Sequence, residues 1–301
     1  MYTMEYLKIF GDTLELPAES RVPLAHDYET LLAAPGAAEE MKTAEDKLFA
    51  GEDWKALVPH MDRLHELSGL HRHVVDFLFL MAASERLREN YRAAGLSDAL
   101  FWDTIADLKY KLIECHDVYG IWGTFVAFWH PWFYTMRRFK LGRLQYEAIP
   151  FEHNEPVTVG GYTVHPGDTV YNMHIPSCGS LNRAARIDSY KKAYAFYKDQ
   201  LGGKPMVFAC KSWLLFPGNR EILPPTLNMV DFISDFHIYK SEEYDEFYDK
   251  WRVFGKDFEK LDAELPEDTT QRRCFKQWLL AGKKTGGGEG LFLYDGEKFI
   301  K

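Results

Sequence analysis

Between residues 141 and 215 the residue pattern reads strand, hairpin, strand, short loop, helix, strand. That order constrains this half of the chain more than any other feature. Residues 141–150 have strand character, with imperfect alternation. Val157-Thr158-Val159-Gly160-Gly161-Tyr162-Thr163-Val164 places β-branched residues on both sides of a Gly-Gly pair. This is a hairpin signal, because a tight hairpin turn needs positive φ. Pro166-Gly167-Asp168 marks a second turn, and 169–175 reads as the next strand, stopped by Pro176. Ile187, Tyr190, Tyr194, Tyr197 and Leu201 share one face of a helix that Gly202-Gly203 ends. The run 206–216 is mostly apolar and reads as a central strand buried on both faces.

The loop before that helix is His174-Ile175-Pro176-Ser177-Cys178-Gly179-Ser180-Leu181. A small-residue loop feeding a helix N-terminus offers backbone N–H groups and the positive end of the helix dipole to an anion. Arg183 and Arg186 open the helix and would add positive charge.

Residues up to about 137 read as helical. Candidate helices cover 43–50, 53–67, 74–87 and 98–116, with Gly51, Gly69 and Gly95 as breaks and Ser97 as an N-cap. The pattern changes near Phe139, with no Ser/Pro spacer, so the two parts join directly. Beyond 216 the sequence suggests a strand within 228–239 and helices over 242–254 and 269–281. It also suggests a Gly-rich loop over 283–290 and a terminal hairpin around Asp295-Gly296.

Among the 301 residues, acidic side chains exceed basic ones and give a net charge of −9. General nucleic-acid binding needs a basic footprint and is not expected. No apolar run reaches membrane-spanning length, and the first ten residues do not read as a secretory signal. The four cysteines are too widely spaced for a disulfide scaffold or a CxxC metal pattern, so the cytoplasm is the expected compartment. His60 with His65, and His71 with His73, lack the i, i+4 spacing and carboxylate partners of a metal motif, so no metal is expected.

Phe139-Lys140-Leu141-Gly142-Arg143-Leu144-Gln145-Tyr146-Glu147 resembles the opening strand of a bacterial family of acyltransferase-domain proteins. Three later pieces are similar to the same family. They are His174-Ile175-Pro176 with its small-residue loop, Cys210-Lys211-Ser212-Trp213-Leu214-Leu215, and Leu223-Pro224-Pro225 leading to Asn228-Met229-Val230. The resemblance implies an α+β chain. A helical N-acyltransferase N-terminal domain (1–137) would pack on a GNAT-like α/β domain (138–301) with a mixed, mostly antiparallel sheet. It implies transfer of an acyl group from a thioester carrier, acyl-coenzyme A or an acyl carrier protein, to a small-molecule amine. The carrier phosphates would meet Ile175, Cys178, Gly179, Ser180, Leu181 and Arg183. Only Gly179 and Ser180 stand where GNAT relatives carry a fuller Gly-rich pattern.

Such a reaction needs a base for the amine, donors for the thioester carbonyl and a proton for the leaving thiolate. Two strands parting near Ile175 and Val207 would bare backbone N–H groups for the carbonyl. His174, at the end of a strand and before the loop, is the leading base candidate. It can equally be a half-buried histidine satisfying a backbone group. Glu147 is the second candidate, or else a solvated strand residue or a salt bridge to Arg143. Cys210 could serve as a nucleophile with His174, but a cysteine in an apolar strand is usually an inert small hydrophobe. The Tyr190, Tyr194 and Tyr197 stripe is most simply packing. The aromatic group Trp122, Phe125, Phe128, Trp129, Trp132 and Phe133 is expected at the domain join, or as the wall of an acyl pocket. Two other readings stay open. One is a non-catalytic protein that holds an acylated or phosphorylated ligand in the same cleft. The other is a thioester hydrolase using Cys210 and His174.

Overall fold

The computed structural model describes residues 2–301. The chain divides into two compact units, one ending at Phe139 and the other beginning at Lys140. The class is α+β: helices alone up to Tyr134, then a mixed sheet with helices around it.

The first unit holds α1 (Met4–Thr13), α2 (Ala18–Ala33), α3 (Ala37–Phe49), α4 (Trp54–Ser68), α5 (Arg72–Ala93), α6 (Asp98–Ile105), α7 (Asp107–Tyr119) and α8 (Pro131–Tyr134). The side chains of Thr3, Asp53 and Ser97 accept first-turn N–H groups and start α1, α4 and α6. Gly69 and Gly120, both left-handed, end α4 and α7. Every residue from Val74 to Ser84 is buried. A helix stretch buried on every side belongs at the centre of a bundle, and α5 touches α1, α2, α4, α6 and α7. Sequence spacing suggested one helix over 98–116. Ala106, at ψ −14°, tightens the backbone there and splits it into α6 and α7.

β1 (Arg138–Leu141) spans the boundary, and the second unit continues with β2 (Leu144–Pro150), β3 (Val157–Val159), β4 (Tyr162–Val164), β5 (Thr169–His174), α9 (Arg183–Tyr197) and β6 (Met206–Ser212). Then come α10 (Asn219–Ile222), α11 (Asn228–Ile233), β7 (His237–Glu243), α12 (Lys250–Phe254), α13 (Thr270–Leu280), β8 (Gly286–Tyr294) and β9 (Phe299–Ile300). The main sheet runs β1-β2-β5-β6-β8-β7, with β9 beside β8, while β3 and β4 form a separate ribbon. The pairs β2–β5, β6–β8, β7–β8 and β8–β9 are antiparallel. The pair β5–β6, joined through α9, is parallel.

Four expectations change. The strand expected over 141–150 begins only at Leu144, because Gly142 at φ +77° and Arg143 make a turn after Leu141, the last residue of β1. Residues 228–233 are helix, and the strand begins only at His237. The helix expected over 242–254 shrinks to α12, because β7 extends to Glu243. The Gly-rich stretch is not a loop: from Gly286 it is the first half of β8. A Cβ at Gly286 or Gly288 would lie 2.2 Å from the Glu242 oxygen or 2.3 Å from the Leu215 oxygen. Glycine there admits neighbouring backbone rather than freeing the chain.

One face of the sheet packs against α9. Tyr190 meets Phe208 and Phe292 at 5.5 and 4.9 Å, and Phe208 stacks on Phe292 at 4.8 Å. The tyrosine stripe is packing with satisfied hydroxyls: Tyr190 donates to Asp235, Tyr194 to the Asp295 carbonyl and Tyr197 to the Tyr146 carbonyl. The other face carries an apolar cluster of Val170, Ala209, Leu291 and Leu293 with Val157, Val159 and Val164 of the ribbon.

The β1–β2 turn is tied to α9 by Ser189, which is fully buried. Its hydroxyl donates to the Leu141 carbonyl, accepts from the Leu144 N–H at 3.0 Å, and lies 3.0 Å from the Tyr146 hydroxyl. Removing one hydroxyl strands several buried polar groups at once. Ser189→Ala should lower unfolding free energy by about 2–4 kcal/mol, read from urea denaturation with an unchanged m-value.

Candidate active site

The parallel ladder between β5 and β6 is short. Its partners are Tyr171 with Phe208 and Asn172 with Ala209. Each strand then keeps its outer neighbour: β5 stays paired with β2 as far as His174, and β6 stays with β8 as far as Ser212. Among the described residues no bridge joins β5 to β6 beyond Asn172 and Ala209. The opening lies between 173–175 and 210–212. Ile175 is at its mouth, as the sequence suggested, but Val207 lies before it, on the closed side. Pro176 prevents β5 from continuing, and β6 passes into a tight turn at Trp213–Leu215 whose carbonyls at Trp213 and Leu214 are held by the Asn219 amide.

Strand alternation decides what faces this opening. Glu147 stands opposite Asn172, and Gln145 opposite His174, so these four share one sheet face. His174 Nε2 is 2.7 Å from Glu147 Oε1, and the Asn172 amide donates to the same oxygen at 3.0 Å. Glu147 is 4% exposed, while the His174 side chain keeps 15%. An ionised carboxylate only accepts, so in that form Glu147 takes the Nε2–H of His174. The two leading base candidates are thus one hydrogen-bonded pair. Asn172 and Gln145 were not singled out in the sequence. Their only signal was a place two residues from a candidate on a strand.

On the other lip, Lys211 stands on the same face as His174, because each is two residues beyond the paired Asn172 and Ala209. Lys211 and Lys240 both lie 3.1 Å from Glu289 Oε1. Burial would lift the Glu289 carboxyl, but its bonds to these lysines outweigh that and hold it below the usual carboxylate range.

Cys210 is not brought to His174. It lies between Ala209 and Lys211, so alternation turns it to the opposite face. It is 2% exposed, and burial pushes its thiol up to about 12. A thiolate nucleophile does not form in such surroundings.

The loop after β5 leads into α9, where the Asn182 side chain caps the Ala185 N–H at 2.9 Å. Ser177, Gly179 and Ser180 are exposed, Ile175 and Cys178 are half-buried, and Leu181 is buried. Arg143 grips this loop. Its guanidinium donates to the carbonyls of Pro176, Gly179 and Ser180 at 2.8, 2.8 and 3.1 Å, and lies 3.2 Å from Cys178 Sγ. The Asn228 amide donates to Ser180 Oγ at 2.9 Å. Arg143 therefore serves the loop, where sequence reading offered only an ion pair with Glu147. Arg183 is exposed and 3.4 Å from Asp231. Arg186 is corrected as a phosphate contact. It is fully buried and donates to Asp231, Asp235 and the Leu181 carbonyl, all within 2.8 Å. Its guanidinium holds the Asp231 carboxyl below the usual carboxylate range.

Elsewhere, His65 bonds the Leu70 carbonyl and His60 pairs with Glu40. Among the described residues no group of three or more His, Cys, Asp or Glu could hold a metal ion. In the aromatic group, Trp122 stacks on His116 at 3.7 Å and the Arg138 guanidinium lies 4.0 Å over Trp129, both within the helical unit. No helix of the described residues is long and apolar enough to cross a membrane.

Comparison with known proteins adds the family. Residues 6–136 match the N-acyltransferase N-terminal domain, and residues 138–292 match the GNAT-like C-terminal domain. No curated protein sequence matches the chain. Among solved structures, an acyltransferase in complex with decanoyl-CoA and teicoplanin is similar over 95% of this chain and 87% of its own, with a TM-score of 0.71 and 18% identity. An acyltransferase in complex with CoA and 10C-teicoplanin matches at a TM-score of 0.70 and 18% identity, over 94% and 86%. An acyltransferase bound to decanoyl-CoA matches at 0.67 and 21%, over 93% and 85%. These likenesses establish a shared fold, and the two domain matches meet almost end to end at the change from helices to sheet. The chain belongs to the family that couples an N-acyltransferase N-terminal domain to a GNAT-like C-terminal domain.

Proposed function

We propose that the protein is an N-acyltransferase that moves an acyl group from a coenzyme A thioester to an amine. The observation that carries this reading is the His174–Glu147 pair on the lip of the opening between β5 and β6, next to a loop that feeds a helix N-terminus. The family supplies the reaction class. The solved acyltransferases of the same fold hold CoA or decanoyl-CoA, which favours coenzyme A over an acyl carrier protein as the donor. Either donor would present the same phosphopantetheine arm to this opening. Two of these structures also hold teicoplanin or 10C-teicoplanin, consistent with a small-molecule acceptor here.

The chemistry is one addition and one elimination. The amine nitrogen attacks the thioester carbon, and the carbonyl oxygen gains negative charge that backbone N–H groups along the opened strands can stabilise. His174 takes the proton that the nitrogen must lose, and the buried Glu147 carboxylate stabilises the resulting imidazolium. The C–S bond then breaks, and the proton held by His174 balances the departing thiolate. The products are an amide and free thiol, with no net proton change. Glu147 orients and charges His174 rather than acting alone, because its carboxylate oxygen is engaged by both His174 and Asn172. The loop 175–181, with Arg183 at its exposed end, holds the carrier phosphates. The cytoplasm is the proposed location, since thioester donors and reduced cysteines share it and all four cysteines are free thiols.

His174→Ala should reduce kcat by about 10²–10⁴-fold while the Kd for acyl-CoA stays within about threefold. Thiol release and calorimetric titration measure the two quantities; retained turnover removes His174 as the base. Glu147→Gln should cost about 1.5–3 kcal/mol of barrier, roughly 10- to 150-fold in kcat, from the lost charge-assisted hydrogen bond. Cys210→Ala should leave kcat within about twofold, and the native thiol should resist iodoacetamide at neutral pH. A kcat collapse in Cys210→Ala would restore the hydrolase reading.

A further inference from the structure

We propose that Arg143 is the positioning residue that sets the carrier loop in its phosphate-binding conformation. This inference rests on the reading that loop 175–181 meets the carrier phosphates. In a trans peptide the C=O of one residue and the N–H of the next point to opposite sides. Arg143 holds the carbonyls of Pro176, Gly179 and Ser180. The N–H groups of Ser177, Ser180 and Leu181 are therefore turned to the side away from the guanidinium. Among the described residues, neither the Ser180 nor the Leu181 N–H has a protein acceptor. One arginine thus arranges a row of amide donors without itself reaching the ligand, because its forked N–H groups are spent on the loop.

Two further features make this grip specific. Gly179, at φ +110°, carries no Cβ to bias the orientation of the Gly179–Ser180 peptide, so the loop backbone at this point is fixed by its hydrogen bonds rather than by a side chain. A turned peptide would present a carbonyl, the wrong dipole, to an anion. Arg143 also arrives on a rigid base. The Gly142 turn presses against α9, with an added Cβ only 3.1 Å from the Ser189 Cα, and Ser189 bonds both sides of the turn. The guanidinium therefore locks the loop to the helix that follows it. A lysine offers one compact charge and cannot hold three carbonyls in a fork.

The test compares two donors that share an acyl group, acyl-CoA and the S-acyl-pantetheine that lacks every phosphate. Arg143→Lys and Arg143→Gln are assayed beside the unchanged protein, with thermal melting to confirm that each is folded. In both variants the KM for acyl-CoA should rise about 10- to 100-fold with kcat within about threefold, while kcat/KM for S-acyl-pantetheine should fall by far less. An equal fall with both donors would mean a general structural role and overturn the proposal, as would an unchanged KM for acyl-CoA. Equal kcat/KM for the two donors in the unchanged protein is a distinct failure: it would show that the loop does not grip phosphate at all.

Discussion

The site depends on a parallel strand pair that stops early. β5 and β6 are joined at Asn172 and Ala209, then each continues with a different neighbour, β2 on one side and β8 on the other. A continuous ladder would consume the inner N–H and C=O groups of both strands. Here the sheet itself supplies polar backbone at its centre without a buried, unpaired loop. The outer ladders run on past the point where β5 and β6 part, as far as His174 and Ser212. The side chains at the lips follow from register alone: His174, Asn172 and Glu147 on one side, Lys211 and Glu289 on the other.

The two faces of the sheet divide the labour. The face toward α9 is aromatic, with Tyr190, Phe208 and Phe292 in mutual contact. It anchors the helix whose first turn follows loop 175–181. The opposite face begins as an apolar cluster under the β3–β4 ribbon and becomes polar toward the ends of β5 and β6. This gradient places titratable groups beside the opening while Val170, Ala209 and Leu291 keep the closed end dry. Cys210 falls on the packing face, which explains both its burial and its raised thiol.

Much of this was legible in the sequence, and the reasons for the misses are physical. The Gly160-Gly161 hairpin, the stop at Pro176 and the tyrosine stripe are local signals, and each element lies where its residues place it. His174 and Glu147 were each visible as candidates, but their contact was not. It depends on the register of two strands separated by the ribbon, and register is a tertiary property. The same gap made Cys210 look like a partner for His174, since one residue along a strand decides the face. The glycines of β8 misled for another reason. A run such as Gly286-Gly287-Gly288 signals a loop by composition, yet here it marks close approach of Leu215, Glu242 and Tyr244. Arg143 was hidden because its three carbonyl partners carry no side-chain signature.

The opening between β5 and β6 as the seat of the thioester arm is tested most directly by amide hydrogen exchange with and without saturating acyl-CoA. The account predicts new protection at 173–181 and 210–212, on both lips and through the loop, with little change in the β3–β4 ribbon. Protection confined to other segments, with these amides exchanging as before, would contradict it.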